Sequence, residues 1–382
     1  MHPAPLDLVS RLSGPQPSYH LAMPDRLIIA LSGGVDSAVA ALLLQQAGHR
    51  VEALHMTNWD DDEAGYCTAA DDWQAALAVA EALKIPIHRV SFAAQYRAQV
   101  FKNFLEEYAA GRTPNPDILC NREVKFGVCL EYAERLGGVA LATGHYARRV
   151  SDAMGTHLYR ARDLNKDQSY FLQRVPEAAL ARARFPLGDY LKSDVRRLAR
   201  EAGLPVYDRP DSTGICFIGE RPFKAFLGSH LNAVPGDIET LDGKVVGRHD
   251  GLIFHTIGQR QGLKIGGSHT GNGQAWYVVA KDVPRQVLRV VQGADHPSLL
   301  AKGFSTDAIL WLTVPPASPF ECALQIRHRQ SPVGATVHWD ARGAQVLLND
   351  PLRGVAPGQY AAFYHGDHCL GGAVITAPAG DQ

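Results

Sequence analysis

The chain has 382 residues, room for two or three domains, with 46% apolar and 20% charged side chains and a net charge of −1. This is an ordinary globular composition, and it excludes a broad polycationic surface while leaving room for a local basic face. No apolar run approaches the roughly 18 to 20 residues of a membrane span.

The first 24 residues carry Pro3, Pro5, Pro15 and Pro17 and no apolar h-region, so they read as a loose extension rather than a signal peptide. Arg26–Leu31 (RLIIAL) is a short apolar run ending in a glycine turn, as a buried parallel strand does. Ser37–Ala47 follows as an Ala- and Leu-rich helix stopped at Gly48. Arg50–His55 is the next strand, Ala69–Leu83 a helix, Ile85–Val90 a strand, Glu123–Leu136 a helix and Val139–Thr143 a strand. The alternation predicts a doubly wound parallel sheet covered on both faces, with ligands beyond the carboxyl ends of its strands. Between Arg182 and Arg200 a basic cluster (Arg182, Arg184, Lys192, Arg196, Arg197, Arg200) reads as solvated helix faces.

After Gly219 the style changes. One short helical stretch, Pro222–Leu231, precedes β-rich runs at Lys244–Val246, Ala275–Ala280 and Val287–Val291. More follow at Ala308–Thr313, Cys322–Arg327, Ala335–Trp339, Ala344–Leu348, Gln359–Tyr364 and Ala373–Thr376. The chain is therefore expected to be α/β, with a catalytic domain over 25–218, a small central domain over 219–295 and a C-terminal β-barrel-like domain over 296–382.

Ser32-Gly33-Gly34-Val35-Asp36-Ser37 sits between the first strand and helix. Its glycines let backbone N–H groups approach a phosphate, and the helix N-terminus favours negative charge. Bare phosphate would repel Asp36, so its expected partner is Mg²⁺. No lysine follows the glycines, which excludes a Walker A loop.

None of the six cysteines forms a C-x-x-C pair. A reducing compartment is expected, where structural disulfides are disfavoured. Cys129 lies in an apolar run and reads as a packing residue. Cys120 ends the turn-rich GRTPNPDILC, with Arg122 and Lys125 nearby to stabilise a thiolate and Asp117 placed for acid–base work; the bland alternative is a buried structural thiol. Cys216 lies in a second polar turn, DSTGICFIGE; the bland alternative is a thiol packed between Ile215 and Phe217. Two turn-borne cysteines on a chain with a phosphate-binding loop suggest sulfur transfer, one thiol carrying a persulfide and the other serving as its partner. Arg327 and Arg329 would share one face of a strand, as RNA contacts or plain edge residues, and Thr256–Arg260 offers donors in a turn or is simply a β-turn.

The hexapeptide resembles the pyrophosphate loop of the adenine-nucleotide α-hydrolase-like enzymes. With it, GRTPNPDILCN, ATGHYAR, KDQSYFL, DSTGICFIGER and HTIGQRQGL make the chain resemble the bacterial tRNA-specific 2-thiouridylase (MnmA) family from about Arg26 onward. The resemblance implies ATP-dependent replacement of the C2 oxygen of the wobble uridine by sulfur, releasing AMP and pyrophosphate. It makes Cys216 the persulfide carrier and Cys120 the other catalytic cysteine, the two closing a transient disulfide, with Asp117 as acid–base residue. It assigns ATP to Ala30, Leu31, Ser32, Gly33, Gly34, Val35, Asp36, Ser37, Met56 and Gly144. It assigns tRNA to Asn115, Pro116, Asp117, His145, Lys166, Asp167, Gln168, Arg327, His328 and Gln359. Ala30 and His328 depart from the family pattern, where Gly and Tyr are common. The expected partners are a tRNA anticodon arm and a persulfide donor protein, and the chain is expected to be a cytoplasmic monomer. The rivals are a small-molecule adenylating ligase, an iron–sulfur RNA thiolase, against which the missing C-x-x-C pairs speak, and a non-catalytic RNA-binding module.

Overall fold

The computed structural model describes residues 25–59, 69–211, 223–265 and 273–379. The N-terminal extension and Cys216 lie outside the described residues.

Strands β1 (Arg26–Ala30), β2 (Arg50–Thr57), β3 (Ile87–Ser91), β4 (Ala140–Ala142) and β7 (Ala183–Arg184) form a parallel sheet in the order β3-β2-β1-β4-β7. The apolar run of β1 is explained by what covers it. Leu27 and Ile29 enter one core with Val39 of helix α1 (Val35–Gln46) and Val79 of helix α2 (Ala69–Leu83). Ile28 enters the opposite core with Phe104, Val124 and Leu130. Each strand residue thus meets an apolar layer whichever way it points. The order reverses at β1, since β2 lies on one side and β4 on the other, and this opens a crevice at the carboxyl ends of β1 and β4.

Between β3 and β4 the chain is helical over Ala93–Ala109 and again from Pro116. The second helix starts earlier than expected. Pro116 occupies its first turn, where a missing N–H costs nothing. It then passes through a wide π-type stretch, Cys120–Cys129, kinked at Gly127, into Leu130–Arg135.

The central strands β8 (Gly236–Glu239), β9 (Val245–His249), β10 (Trp276–Asp282) and β11 (Val287–Gln292) form a sheet ordered β10-β11-β8-β9 around Ile238, Val278 and Leu288. Further on, β12 (Leu300–Thr306), β14 (Phe320–Gln325), β15 (Val333–Asp340), β16 (Gly343–Arg353), β17 (Tyr360–His365) and β18 (His368–Pro378) close into an antiparallel barrel through the β12–β18 pairing. The expected strand Ala308–Thr313 shortens to β13 (Leu310–Trp311), paired with β18.

Two features went unread in the sequence. A hairpin of β5 (Ala147–Asp152) and β6 (Gly155–Arg160) leaves the parallel sheet and pairs with β18 through Leu158 and Tyr159, so barrel and catalytic part share hydrogen-bonded strands. The expected strand through Arg327 ends at Gln325. The chain turns there because Gln325 Nε2 donates to the Gln330 carbonyl at 2.6 Å and Gln330 N donates to the Arg327 carbonyl at 3.2 Å, with Arg329 at φ +62°. Arg327 and Arg329 therefore do not share a strand face.

Candidate active site

The Ser32–Ser37 loop lies at the β1/β4 crevice. Gly33 takes φ +84°, and a Cβ there would stand 2.5 Å from the Asp72 carbonyl, so glycine is required on both counts. Ser37 Oγ donates to the Gly34 carbonyl at 3.1 Å and accepts from Ser32 N at 3.2 Å, which ties the loop into a ring. No side chain caps the first turn of the 12-residue α1, so its N–H groups face the crevice as an anion cradle. Gly144, at the end of β4, lies directly against this turn; a Cβ on it would be 2.7 Å from Ser37 N. Ala30 and Met56 are half-buried at the ends of β1 and β2, and His55 Nδ1 donates to the Leu31 carbonyl at 2.9 Å. The ATP residues expected from sequence are thus gathered at one sheet edge.

Several partners of this loop were not foreseen. Asp36 Oδ1 accepts from Lys192 Nζ at 2.6 Å and from Tyr146 OH at 2.8 Å. Lys192 Nζ also lies 2.8 Å from Asp211 Oδ1. Asp211 further accepts from Lys166 Nζ and Arg196 Nη2, each at 2.7 Å. Part burial works against the charge of Asp211, yet Lys166 and Lys192 hold its carboxyl at about 2. Arg209 bridges the Gly33 carbonyl at 2.9 Å and Asp72 at 2.6 Å. The basic cluster is therefore a solvated face at Arg197 and Arg200, but Lys192 is buried and Arg196 is committed to Asp211. The amphipathic spacing of the helix Lys192–Glu201 carried this signal, since Lys192 lies on the same face as Val195 and Ala199.

Cys120 is fully buried, so chemistry at its sulfur requires its surroundings to open. Asn58, just past the carboxyl end of β2, places Nδ2 4.0 Å from Cys120 Sγ and so brings the thiol to the edge of the sheet that carries the phosphate loop. Arg122 pairs with Glu123 at 3.0 Å. Lys125 bears on Cys129 and His145. Burial pushes the Cys129 thiol up to about 12, in keeping with packing alone.

The segment Gly111–Asp117 is gripped by all three parts of the chain. Thr113 N donates to the Pro357 carbonyl at 2.9 Å, Gln359 Nε2 donates to the Thr113 carbonyl at 2.8 Å, and Thr113 Oγ1 donates to Thr256 Oγ1 at 3.4 Å. The Asn115 side chain hydrogen-bonds Tyr170, whose hydroxyl donates to the carbonyls of Ile326 and Tyr360 at 3.0 and 3.2 Å. Pro116 is buried beneath, and the Asp117 carboxylate lies within electrostatic reach of His328. His328 Nε2 donates to the Asp167 carbonyl at 3.0 Å, and its ring lies 4.6 Å from Phe171. Arg327 donates to the Gly354 carbonyl at 2.7 Å.

Two residues expected to touch tRNA turn inward. His145 is buried between Phe126 and Phe185, 2.8 Å from Thr143 Oγ1, and burial holds it neutral. The Asp167 carboxylate is consumed by Ala161 N at 2.9 Å and Ser169 Oγ at 2.7 Å. Gln168 is bound both ways to the Tyr146 backbone, at 3.0 and 2.8 Å.

A phosphate-cradling loop at the switch point of a parallel sheet, with a cysteine at the same edge and a barrel gripping the cysteine's segment, is the architecture of an ATP-using enzyme. Residues 25–220 match the tRNA methyl transferase HUP domain, 224–292 the tRNA methyl transferase PRC-barrel domain and 301–375 the aminomethyltransferase β-barrel domain. The chain is 50% identical over 360 residues to the tRNA-specific 2-thiouridylase MnmA of Pseudomonas aeruginosa (strain LESB58), covering 94% of this chain and 96% of that one. It is 51% identical over 355 residues to the protein of the same name from Marinobacter nauticus, covering 92% and 91%. The chain belongs to the tRNA-specific 2-thiouridylase (MnmA) family.

Proposed function

We propose that the chain is an ATP-dependent sulfurtransferase that converts the wobble uridine of tRNA to 2-thiouridine. The observation that supports this most is the meeting of Cys120, through Asn58, with the sheet edge that carries the Ser32–Ser37 loop. Adenylation and sulfur transfer at one base need both within a single crevice.

The glycine loop and the uncapped first turn of α1 hold the nucleotide, with Ala30, Leu31, Met56 and Gly144 as its walls. The uridine C2 oxygen attacks the α-phosphorus and pyrophosphate leaves. The terminal sulfur of a Cys216 persulfide then attacks C2, and AMP departs with the oxygen. In one route Cys120 then attacks the Cys216 sulfur, breaking its bond to the transferred sulfur and closing a disulfide; in the other Cys120 attacks the Cys216 persulfide first, closing the disulfide and releasing sulfide, which itself attacks C2. Asp117 moves the proton at the base. Asn115, Lys166, Gln168, Arg327, His328 and Gln359 contact the anticodon arm, with Pro116, His145 and Asp167 supporting them from beneath. The wobble base must leave its stack to reach this site.

Asp36 offers a hard carboxylate oxygen beside the phosphate cradle, a donor that suits Mg²⁺. When bound, the ion offsets charge on the departing pyrophosphate. A protein persulfide supplies the sulfur. The enzyme works as a monomer in the cytoplasm, where tRNA and reduced thiols coexist; among the described residues no helix is long and apolar enough to cross a membrane.

The test is product analysis with radiolabelled ATP and unmodified tRNA. AMP and pyrophosphate in a tRNA-dependent yield are expected. ADP and phosphate, or no turnover, would refute the reading.

A further inference from the structure

Lys166 and Asp36 are assigned above to different ligands, yet two routes join them inside the protein. In the first, Lys166 Nζ lies 2.7 Å from Asp211 Oδ2, Lys192 Nζ lies 2.8 Å from Asp211 Oδ1, and the same Nζ lies 2.6 Å from Asp36 Oδ1. In the second, Gln168 fixes the Tyr146 backbone from both sides and Tyr146 OH donates to Asp36 Oδ1 at 2.8 Å. Arg196 completes the set at 2.7 Å from Asp211. Three cations thus share two carboxylates.

The sharing is constrained by burial. The Lys192 side chain is only 11% exposed, so it cannot exchange a carboxylate for bulk water. What one carboxylate loses of Lys192 the other must take. Lys166 is the more exposed of the two lysines, at 28%, and an incoming phosphate can reach it.

We propose that Asp211 is a positioning residue that couples RNA binding at Lys166–Gln168 to metal–nucleotide binding at the Ser32–Ser37 loop; the proposal rests on the functional reading given above. When an RNA phosphate takes Lys166, Asp211 loses one of its three cations and draws Lys192 and Arg196 closer. Lys192 then relaxes its hold on Asp36, whose carboxylate turns to the metal–nucleotide. RNA tightens nucleotide binding, and by linkage the nucleotide tightens RNA binding by the same factor. The device favours ATP binding when an acceptor base is present.

The experiment measures the affinity of the full chain for a non-hydrolysable ATP analogue with Mg²⁺, with and without saturating unmodified tRNA. The wild type is expected to bind the analogue roughly fivefold more tightly with tRNA. In Asp211→Asn that factor falls to near one, and in Asp211→Glu it recovers at least in part. Should Asp211→Asn fail to fold, Lys166→Gln, measured at saturating tRNA, must show the same collapse of the factor. A factor near one in the wild type, or a factor that Asp211→Asn leaves intact, overturns the proposal. Failure of the wild type to bind the analogue or tRNA singly overturns the functional reading as well, so the two failures are distinguishable.

Discussion

Gly144→Ala adds one methyl group at the point where β4 meets the phosphate loop. The new carbon would lie 2.7 Å from Ser37 N, 2.8 Å from the Asp36 carbonyl carbon and 3.1 Å from Ser37 Cα. Comfortable carbon contacts start near about 3.5 Å, so the two backbones must part by roughly 0.5 to 1 Å. All three obstructing atoms are backbone, and no side chain can step aside. The helix behind them is held by Val39, Ala40 and Leu44, all buried, so the strain falls on the loop and the strand end. Overpacking of this kind costs about 1 to 3 kcal/mol. Borne by the loop, that cost weakens the ATP analogue by roughly 5- to 150-fold. The assay is titration calorimetry with the analogue and Mg²⁺, with circular dichroism and tRNA binding as folding controls. Gly228→Ala, whose added carbon meets only Phe254 Cζ at 3.7 Å on a distant helix, should leave the affinity unchanged. Wild-type affinity in folded Gly144→Ala would refute the placement of the nucleotide at this crevice.

Cys129→Ala should retain thiolation and lose about 1 kcal/mol of stability, read by denaturant unfolding, because the thiol is buried and protonated. Tyr170→Phe removes the donor to two buried carbonyls and the support of Asn115, so it should cost about 1 to 3 kcal/mol and slow thiolation while leaving ATP affinity intact, measured on the same preparation. Desolvation on burial holds His255 down to about 4, helped by the charges of His249, Lys281 and Lys224 and opposed by Asp250. The unfolded chain takes up this proton below pH 6.5 and the folded chain does not until about 4, so stability is full above pH 6.5 and falls through that window. Between pH 7 and pH 5 the loss is about 2 kcal/mol, and unfolding curves of His255→Gln should lack that increment.

The parallel sheet was legible in the sequence because its signals are local. Arg26–Leu31 is apolar throughout, and the glycine turn follows at once. The ATP loop could be read for the same reason, since its geometry is set within six residues. The partners of Asp36 could not, because Lys192 stands 156 positions away and its own sequence context is a charged helix. The β5–β6 hairpin was missed because its stabilising partner, β18, lies more than 200 residues on. Arg327–Arg329 looked like strand because period-two alternation cannot reveal a turn closed by the Gln330 side chain and backbone. His145 illustrates a different limit. Its place at a strand end was readable, but its burial between Phe126 and Phe185 depends on packing from two distant segments.

In the proposed reaction one crevice activates the base with ATP and hands it sulfur through two cysteines. The most direct measurement is mass spectrometry of nucleosides from tRNA incubated with the enzyme, ATP, Mg²⁺ and a persulfide source. The native chain should yield a uridine in which one oxygen is exchanged for sulfur, and both Cys120→Ser and Cys216→Ser should abolish it. Formation of the thiolated nucleoside by either variant, or its appearance without ATP, would contradict this reaction.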